Sequence, residues 1–352
     1  MNPSHPLYLR DLDKALGALP DARTLEGATV LVTGATGMVG SCVTDLLARL
    51  SRRDRLHLKI VALCRDAGRA AQRFAHLREV EPVFGDMTGA GELPGADFVV
   101  HAASNAHPMA FSTDPVGTMK ANLLGTMRLL ERLRDCGGRR LLFVSTGEIY
   151  GENPAMTDGF REEDSGKIDP MNPRACYPES KRAAETLCAS YARQYGLDAV
   201  VARLCYVYGP TVADANSRAD AQFLRRALAG QDIVLKSDGA QLRSYCYVAD
   251  AAAALLTILL AGERGLAYNV ANRDSVHTIR QYAETLARLA GVKVTFDLPS
   301  ETERQGYSTV SRAVQNPARL EALGWSARHT LEDGLRHTLD ILQNQPDRSN
   351  PA

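Results

Sequence analysis

Two polar segments about thirty residues apart carry the side chains best suited to chemistry. An apolar run at residues 141–144 leads into Ser145 and Thr146, and a later segment holds Tyr177 and Lys181. Residues four apart on a helix lie on the same face, so the Lys181 ammonium can stabilise a Tyr177 phenolate electrostatically. This pair predicts a phenol that acts as a base.

A glycine-rich turn near the start of the chain predicts a dinucleotide site. Gly34, Gly37 and Gly40 directly follow an apolar strand at residues 29–33, and a helix with apolar residues at helical spacing opens after them. Such glycines let the backbone turn sharply and approach a pyrophosphate, while the helix N-terminus supplies N–H groups and a positive dipole. A strand, a glycine triplet and a helix in this order predict an α/β nucleotide-binding domain.

The following strands should complete the dinucleotide site. The second strand, residues 58–63, is followed by Cys64 and Arg65. An acid usually accepts the ribose hydroxyls at this strand end, whereas an arginine can hold a 2'-phosphate. Arg65 therefore favours NADP, unless it is only a solvated side chain at the end of a strand. The third strand is predicted to end at Asp86 and Met87.

Together with the Gly-x-x-Gly-x-x-Gly spacing, these motifs resemble the extended short-chain dehydrogenase/reductase family, in its branch of nucleotide-sugar epimerases, dehydratases and decarboxylases. The resemblance implies a Rossmann-type doubly wound parallel sheet, NAD as the cofactor and a smaller C-terminal lobe for a nucleotide sugar, expected to be UDP-linked. The expected divisions are an N-terminal extension 1–27, a dinucleotide-binding domain 28–205 to which 241–265 returns, and a substrate lobe 206–240 and 266–345.

The resemblance also implies roles for individual residues. Tyr177 would remove the proton of a sugar hydroxyl, Lys181 would lower the pKa of Tyr177 and bind the nicotinamide ribose, and Thr146 would hydrogen-bond the reacting oxygen. The implied cofactor-binding residues are Gly34, Thr36, Gly37, Met38, Val39, Gly40, Arg65, Asp86, Met87, Ala102, Ala103, Asn122, Tyr177 and Lys181. The implied substrate-binding residues are Ser104, Thr146, Glu148, Tyr206 and Arg243.

In this branch the sugar is first oxidised to a ketone at C4, which can then lead to several products. The triplet Thr146-Gly147-Glu148 helps to distinguish these reactions. A 4,6-dehydratase of this branch carries Thr-Asp-Glu there, so the dehydratase acid is missing. UDP-glucuronate decarboxylases carry Thr-Ser-Glu at this place and Pro-Arg-x-Cys-Tyr-x-Glu-x-Lys-Arg around the tyrosine. Residues 173–182 match the second pattern at every specified position. The resemblance favours UDP-glucuronate decarboxylation. A 4-epimerase stays an open alternative, with a dehydratase, a reductase and a non-catalytic dinucleotide sensor behind it.

Two positions bear on the substrate pocket. Arg243 opens a segment that resembles the family's Arg-x-aromatic-x-Tyr-Val-x-Asp, and its guanidinium fork suits a diphosphate or a carboxylate. Tyr206 stands where the family usually has an asparagine, so family substrate preferences do not carry over directly. Residues 152–172 form a polar loop whose length suits a lid or a substrate edge.

Composition narrows the classes of partner. Lys and Arg number 41 and Asp and Glu number 41, so no gross basic charge indicates a nucleic acid or an anionic membrane. The seven cysteines are scattered without Cys-x-x-Cys spacing, and His101 and His107 have no matching ligand cluster, so neither a disulfide framework nor a metal site is expected.

Hydropathy and the two long helices set the remaining expectations. The chain has no apolar run of about 18 residues and no apolar segment at its charged N-terminus, which predicts a cytoplasmic protein with neither a signal peptide nor a membrane span. Helices expected at about 115–136 and 175–196 carry more apolar residues than one sheet face needs. In the family such helices pair across a twofold axis, which implies a homodimer.

Overall fold

A parallel β-sheet forms the centre of the protein in the computed structural model, which describes residues 1–17, 19–213, 216–297 and 310–343. The described strands are β1 (Thr29–Thr33), β2 (Lys59–Cys64), β3 (Val80–Phe84), β4 (Phe98–His101), β5 (Arg140–Thr146), β6 (Ala199–Leu204), β7 (Tyr206–Tyr208), β8 (Ile233–Leu235), β9 (Leu242–Tyr247), β10 (Ala267–Val270), β11 (Val276–Thr278), β12 (Val294–Phe296) and β13 (Arg312–Ala313).

Seven strands make up this central sheet, in the order β3-β2-β1-β4-β5-β6-β10, and every neighbouring pair is parallel. Strands such as β1 are apolar on both faces because helices cover both sides of a parallel sheet. The winding reverses between β1 and β4, which creates a crevice at the carboxyl ends of those strands. The predicted Rossmann-type doubly wound sheet is confirmed.

Helices pack on both faces of the central sheet. The described helices are α1 (Pro6–Leu16), α2 (Met38–Asp54), α3 (Ala67–Phe74), α4 (Pro108–Thr113), α5 (Pro115–Asp135), α6 (Cys176–Tyr195), α7 (Ala219–Leu228), α8 (Val248–Ala261), α9 (Ile279–Ala290), α10 (Ala318–Glu321) and α11 (Leu331–Gln343). Residues of α1, α2 and α8 share one apolar core with the sheet, and residues of α5 and α6 share the other. Burial of these two apolar faces is the main stabilising contribution to the domain.

The smaller lobe is built from short strands around a group of tyrosines. Strands β7, β9, β11 and β13 form one sheet, and β8 pairs with β12. Strand β10 lies at the edge of the central sheet beside β6, so its placement differs from the predicted lobe boundary at residue 266. The chain therefore returns to the central sheet after β9 through both α8 and β10.

Residues 152–172 are held against the C-terminal lobe. Phe160 is buried and stacks on Tyr150 with ring centroids 4.7 Å apart. Its backbone N–H donates to the Val314 carbonyl at 2.8 Å, and Glu152 pairs with Lys167 inside the loop. These contacts give the loop a fixed conformation at its base, and its role at the substrate edge stays a prediction.

The leucine stripe at residues 7, 9, 12, 16 and 19 predicts a short amphipathic helix ended by Pro20, but α1 already ends at Leu16. This helix packs against α2, α8 and α11. All seven cysteine thiols are free, and Cys136 is the exposed one among them. The polar residues at 344–352 predict a frayed tail, which lies outside the described residues. Within the described ranges, every helix is too short or too polar to cross a lipid bilayer.

Candidate active site

The glycine turn brings backbone from two strands into contact at the crevice between β1 and β4. Gly34 has a φ of +65°, and a Cβ built on it would lie 2.7 Å from the Ala103 backbone. A Cβ on Gly40 would overlap the Gly34 carbonyl oxygen, so α2 packs directly on the turn. Both positions therefore require glycine.

The first turn of α2 has the features of an anion site. Gly37 is the N-cap residue and provides no capping side chain, so the first N–H groups of the helix depend on another acceptor. Thr36, Met38 and Val39 are half-buried and lie along the same open rim. A pyrophosphate fits this arrangement because the helix dipole and the free N–H groups both favour negative charge.

The neighbouring strand ends extend the crevice on either side. Ala102 and Ala103 follow β4, and the Ala103 N–H donates to Thr33 Oγ1 at 3.2 Å. Hydrogen bonds from Thr88 lower the pKa of Asp86 beyond β3, and the exposed Arg65 at the end of β2 adds a smaller effect in the same direction. The described strand ends thus place a cation and an anion where the adenosine ribose of a dinucleotide would lie.

Met87 and Asn122 have mainly structural neighbours. Met87 is buried against Gly125 on α5. Asn122 is fully buried, donates from Nδ2 to Ser180 Oγ at 2.9 Å and accepts from Ser104 Oγ at 2.8 Å. The amide thus links the helix of Tyr177 to the strand end after β4, and its contact with a cofactor stays a prediction.

Tyr177 lies at the start of α6 in a largely apolar setting. Its ring stacks on Phe111 at 4.6 Å, and burial raises its pKa to about 12. Arg218, a hydrogen bond with Thr146 and Arg174 act in the opposite direction, while Glu148 adds to the rise. Thr146, predicted to hydrogen-bond the reacting oxygen of the sugar, is therefore in contact with the Tyr177 phenol.

Lys181 lies one turn further along α6, and its ammonium is directed toward strand β5. Nζ donates to the Val144 carbonyl at 2.7 Å and lies 4.5 Å from the centre of the Phe143 ring. Burial lowers the pKa of Lys181 to about 7, against the opposing effect of Glu185. The groups that lower the pKa of Tyr177 here do not include Lys181. The proposed effect of the lysine on the phenol therefore stays a prediction.

Two arginines that the sequence motifs did not assign to the site lie near Tyr177. Arg174 donates to Glu148 Oε2 at 2.9 Å and lies over the Phe111 ring at 5.0 Å. Arg218 precedes α7. Against the effect of burial, the charge of Asp220 raises the pKa of Arg218 more than Tyr177, Glu148 and Tyr206 do, and Arg218 in turn lowers the pKa of Tyr177. Arg174 could be noticed because it stands within the segment that matches the decarboxylases. Arg218 belongs to a stretch without a periodic pattern, and nothing in the sequence marks it.

Arg243 and Tyr206 lie together on adjacent strands β9 and β7. The guanidinium is 5.3 Å from the centre of the Tyr206 ring and donates to the carbonyls of Leu242 at 3.0 Å and Val310 at 2.7 Å. Arg243 is only 3% exposed. The structure therefore brings the two predicted substrate residues together, with Arg243 held in place by backbone oxygens.

As a whole, the described crevice fits a dinucleotide whose nicotinamide end lies toward Tyr177. The open N-terminus of α2 and the close approach at Gly34 suit the pyrophosphate, and the ends of β2 and β3 suit the adenosine. A bound nicotinamide dinucleotide would supply hydride transfer. The phenol, a carboxylate and two guanidinium groups would surround the reacting carbon.

Comparison with known proteins supports the same assignment. The model of the NAD dependent epimerase/dehydratase family matches residues 30–271. UDP-glucuronic acid decarboxylase 6 of Arabidopsis thaliana is 31% identical over 319 residues, which cover 87% of this chain and 86% of that protein. UDP-glucuronic acid decarboxylase 1 of Xenopus tropicalis is 30% identical over 319 residues, which cover 90% of this chain and 72% of that protein.

Solved structures give the same result for the fold. The UDP-glucose 4-epimerase of Thermus thermophilus in complex with NAD superposes with a TM-score of 0.69 at 29% identity, covering 90% of this chain and 99% of that one. The family match spans most of the residues that build the central sheet and the crevice. The chain belongs to the NAD-dependent epimerase/dehydratase family.

Proposed function

We propose that the protein decarboxylates UDP-glucuronate through transient oxidation of the sugar at C4, with NAD as the resident cofactor. The observation that carries the proposal is the grouping of Glu148 and two guanidinium groups around Tyr177. Arg174 and Arg218 together offer positive charge for an anionic sugar, and glucuronate carries a carboxylate. The similarity to named UDP-glucuronic acid decarboxylases supports the same substrate.

In the first step Tyr177 accepts the proton of the C4 hydroxyl, and Thr146 positions the reacting oxygen. NAD held at the glycine turn of Gly34, Gly37 and Gly40 would supply the hydride transfer chemistry needed at C4. In the resulting ketone the C6 carboxylate is β to the carbonyl, so the C5–C6 bond electrons pass to the carbonyl oxygen as carbon dioxide leaves. Protonation of the enolate at C5 and reduction at C4 then give a UDP-pentose without net redox change.

The packing around Gly147 argues against 4,6-dehydration, although it leaves no more room for the serine of the decarboxylase motif. A Cβ on Gly147 would lie 2.7 Å from Gln315 Oε1, so an aspartate at this position requires Gln315 to shift. Gln315 is itself buried and hydrogen-bonded to Asn269 Oδ1 at 2.9 Å. The missing dehydratase acid is therefore disfavoured by packing as well as by sequence.

A 4-epimerase is the second candidate, favoured by the superposition on the Thermus thermophilus enzyme. Epimerisation needs only the phenol, the cofactor and room for the ketosugar to turn over, all of which the same site would provide. The two reactions differ in what happens at C5, because only decarboxylation removes carbon there.

The deciding experiment is incubation of the purified protein with UDP-glucuronate and NAD, followed by mass analysis of the nucleotide sugar. We expect carbon dioxide and a UDP-pentose. Because Glu148 would help to position the sugar ring and its carboxylate, Glu148→Gln should lower kcat for this reaction at least tenfold with NAD affinity unchanged. Glu284→Gln, a matched change on the exposed face of α9, should have little effect. A product of unchanged mass and inverted C4 configuration would replace decarboxylation with epimerisation.

A further inference from the structure

A second cluster of polar side chains lies between α1 and the C-terminal helix, on elements that do not carry Tyr177. Asp11 on α1 faces His329, just before α11, and His337 on α11 itself. Asp11 Oδ1 is 2.9 Å from His337 Nδ1 and 3.4 Å from His329 Nε2. One ligand atom from each of the three residues lies within 4.8 Å of the other two.

The outer contacts of His329 prepare its Nε2 as a ligand. Its Nδ1 is 3.0 Å from Asp250 Oδ1, and the other Asp250 oxygen accepts the backbone N–H groups of Arg328 and His329, each at 3.0 Å. A carboxylate that accepts Nδ1–H leaves the lone pair of the neutral imidazole on Nε2. Among the described residues, this buried Nε2 has no hydrogen-bond partner.

Asp11 is fixed in the same manner. Its Oδ2 accepts a hydrogen bond from the Tyr247 hydroxyl at 2.8 Å, which leaves Oδ1 directed toward the two imidazoles. The Asp11 side chain is 3% exposed and His337 is 24% exposed. A site made of these three groups would therefore be closed by protein on most sides and open to one solvent molecule beside His337.

The charges of the cluster call for a cation. Asp11 and Asp250 are both buried, and a buried carboxylate is costly without a partner of opposite charge. The surrounding groups are the two imidazoles and the neutral Tyr247 hydroxyl. A divalent cation bound by Asp11 and the two imidazoles would supply the missing positive charge.

We propose that Asp11, His329 and His337 bind one Zn²⁺ ion that ties α1 to the C-terminal helix. Two imidazoles, one carboxylate and a solvent molecule make up a common tetrahedral zinc set, with Asp250 and Tyr247 as its outer support. Ligand atoms of tetrahedral zinc lie about 3.3 Å apart, given bonds of about 2.0–2.1 Å. The ligand atoms of Asp11, His329 and His337 lie close enough together that small side-chain movements would bring them to these distances.

This inference is independent of the reaction at Tyr177. It also departs from the expectation that the chain holds no metal, which rested on ligand spacing along the sequence. Asp11 is 318 residues from His329 and 326 from His337, so no spacing rule connects them.

The test uses the full-length, tag-free protein in a Cys136→Ser background, which removes the exposed thiol as a competing ligand. Metal-stripped protein is titrated with Co²⁺ and followed by its visible d–d absorption, then with Zn²⁺ by calorimetry. We expect one ion per chain, a tetrahedral Co²⁺ spectrum and a higher unfolding temperature with Zn²⁺. His337→Gln should weaken Zn²⁺ binding at least tenfold, and the exposed His76→Gln should not.

His337 is the primary variant because it is partly exposed and its replacement preserves the fold better than a change at buried His329. Asp11→Asn, which keeps the shape of the side chain, is the second variant and should weaken binding similarly. The proposal is overturned if the wild-type protein binds less than one ion per chain under these conditions. It is equally overturned if His337→Gln and Asp11→Asn both bind Zn²⁺ as tightly as His76→Gln does.

Discussion

Tyr177 is a buried phenol whose neighbours both oppose and favour its ionisation. Burial dominates and holds its pKa at about 12, while Arg218, Thr146 and Arg174 pull in the other direction. A base for a sugar hydroxyl must lose its proton readily, so the positive charge near the phenol matters for turnover. A bound nicotinamide ring would add to that charge.

Tyr177→Phe should abolish turnover with UDP-glucuronate, by at least a thousandfold in kcat, because the variant lacks the proton acceptor. The aromatic ring remains to stack on Phe111, so the fold and NAD affinity should be unchanged. Steady-state kinetics and NAD binding by calorimetry measure the two properties separately. Near-normal activity would remove Tyr177 from the role of base.

Lys181 provides a prediction for the pH dependence of stability. Its folded pKa of about 7 lies below the ordinary value of 10.5, so between these values the unfolded chain holds a proton that the folded chain has lost. The free energy of unfolding should therefore rise with pH in this window, by up to about 1.4 kcal/mol per pH unit from this group.

Lys181→Met removes this titration, so the difference in stability between wild type and variant should change with pH. Urea unfolding of the NAD-free proteins at pH 7, 8 and 9 measures it. Parallel pH profiles would mean that the ammonium stays charged in the folded protein.

Arg65 should influence the choice between the two dinucleotides. If its exposed guanidinium meets a 2'-phosphate, Arg65→Ala should weaken NADP by about tenfold or more, since a hydrogen bond to a charged group contributes roughly 1.5–3 kcal/mol. NAD affinity should change little, and Arg69→Ala on the neighbouring helix α3 is the matched control. Equal effects on NAD and NADP would identify Arg65 as a solvated side chain.

Sequence patterns located the residues that lie within motifs and missed those that reach the site from elsewhere. Thr146 and Tyr177 follow recognisable strand and helix boundaries and do meet in the structure. Phe111 and Arg218 arrive from segments whose approach depends on the folded lobe. Their contribution follows from tertiary contacts, which no local spacing encodes.

At the scale of elements, the glycine turn is a closely packed junction of the dinucleotide-binding domain. It joins β1 to α2 while the backbone after β4 passes against it. The packing leaves no room for a side chain at Gly34 or at Gly40. The turn therefore sets the position of the α2 N-terminus.

Gly40→Ala should destabilise the protein by about 1–3 kcal/mol through overpacking and weaken NAD binding, because the added methyl would overlap the Gly34 carbonyl oxygen. Gly91→Ala is the matched control, since a Cβ there meets nothing within 4 Å. Urea unfolding and NAD titration test both effects. A Gly40→Ala protein as stable as the Gly91→Ala protein would show that α2 can shift freely on the turn.

Long, strongly patterned elements were predictable from sequence and short ones were not. The strand β1 matches its predicted apolar run, and α5 ends within one residue of its predicted limit. By contrast, β13 is two residues long and exists because it pairs with β9. Strand β10 joins the central sheet through its partner β6, so its sequence alone does not assign it to either lobe.

At the scale of the whole molecule, α5 and α6 pack side by side and leave apolar residues at the surface. On α5, Val116 is 62% exposed, and Met119 and Leu124 are also exposed, while Tyr195 is exposed at the end of α6. Exposed apolar residues on adjacent helices are typical of a protein interface. We expect these two helices to form a twofold interface between copies of the chain.

Leu124→Asp should convert the homodimer to a monomer at micromolar concentration, because it places a charge at the centre of the apolar surface. Met171→Asp, an equally polar change at an exposed methionine in the 152–172 loop, should leave the dimer intact. Sedimentation velocity measures both. A wild-type protein that sediments as a monomer would contradict the expected interface.

The contacts of α1 also constrain the order in which the chain can fold during synthesis. This helix leaves the ribosome long before Tyr247 and His337, the side chains that hold Asp11, which follow 236 and 326 residues later. At about 5–20 residues per second, α1 can meet α2 early but waits on the order of tens of seconds for α8 and α11. The docking of α1 should therefore be completed only when α11 has emerged, and protease pulses during translation should cleave α1 until then.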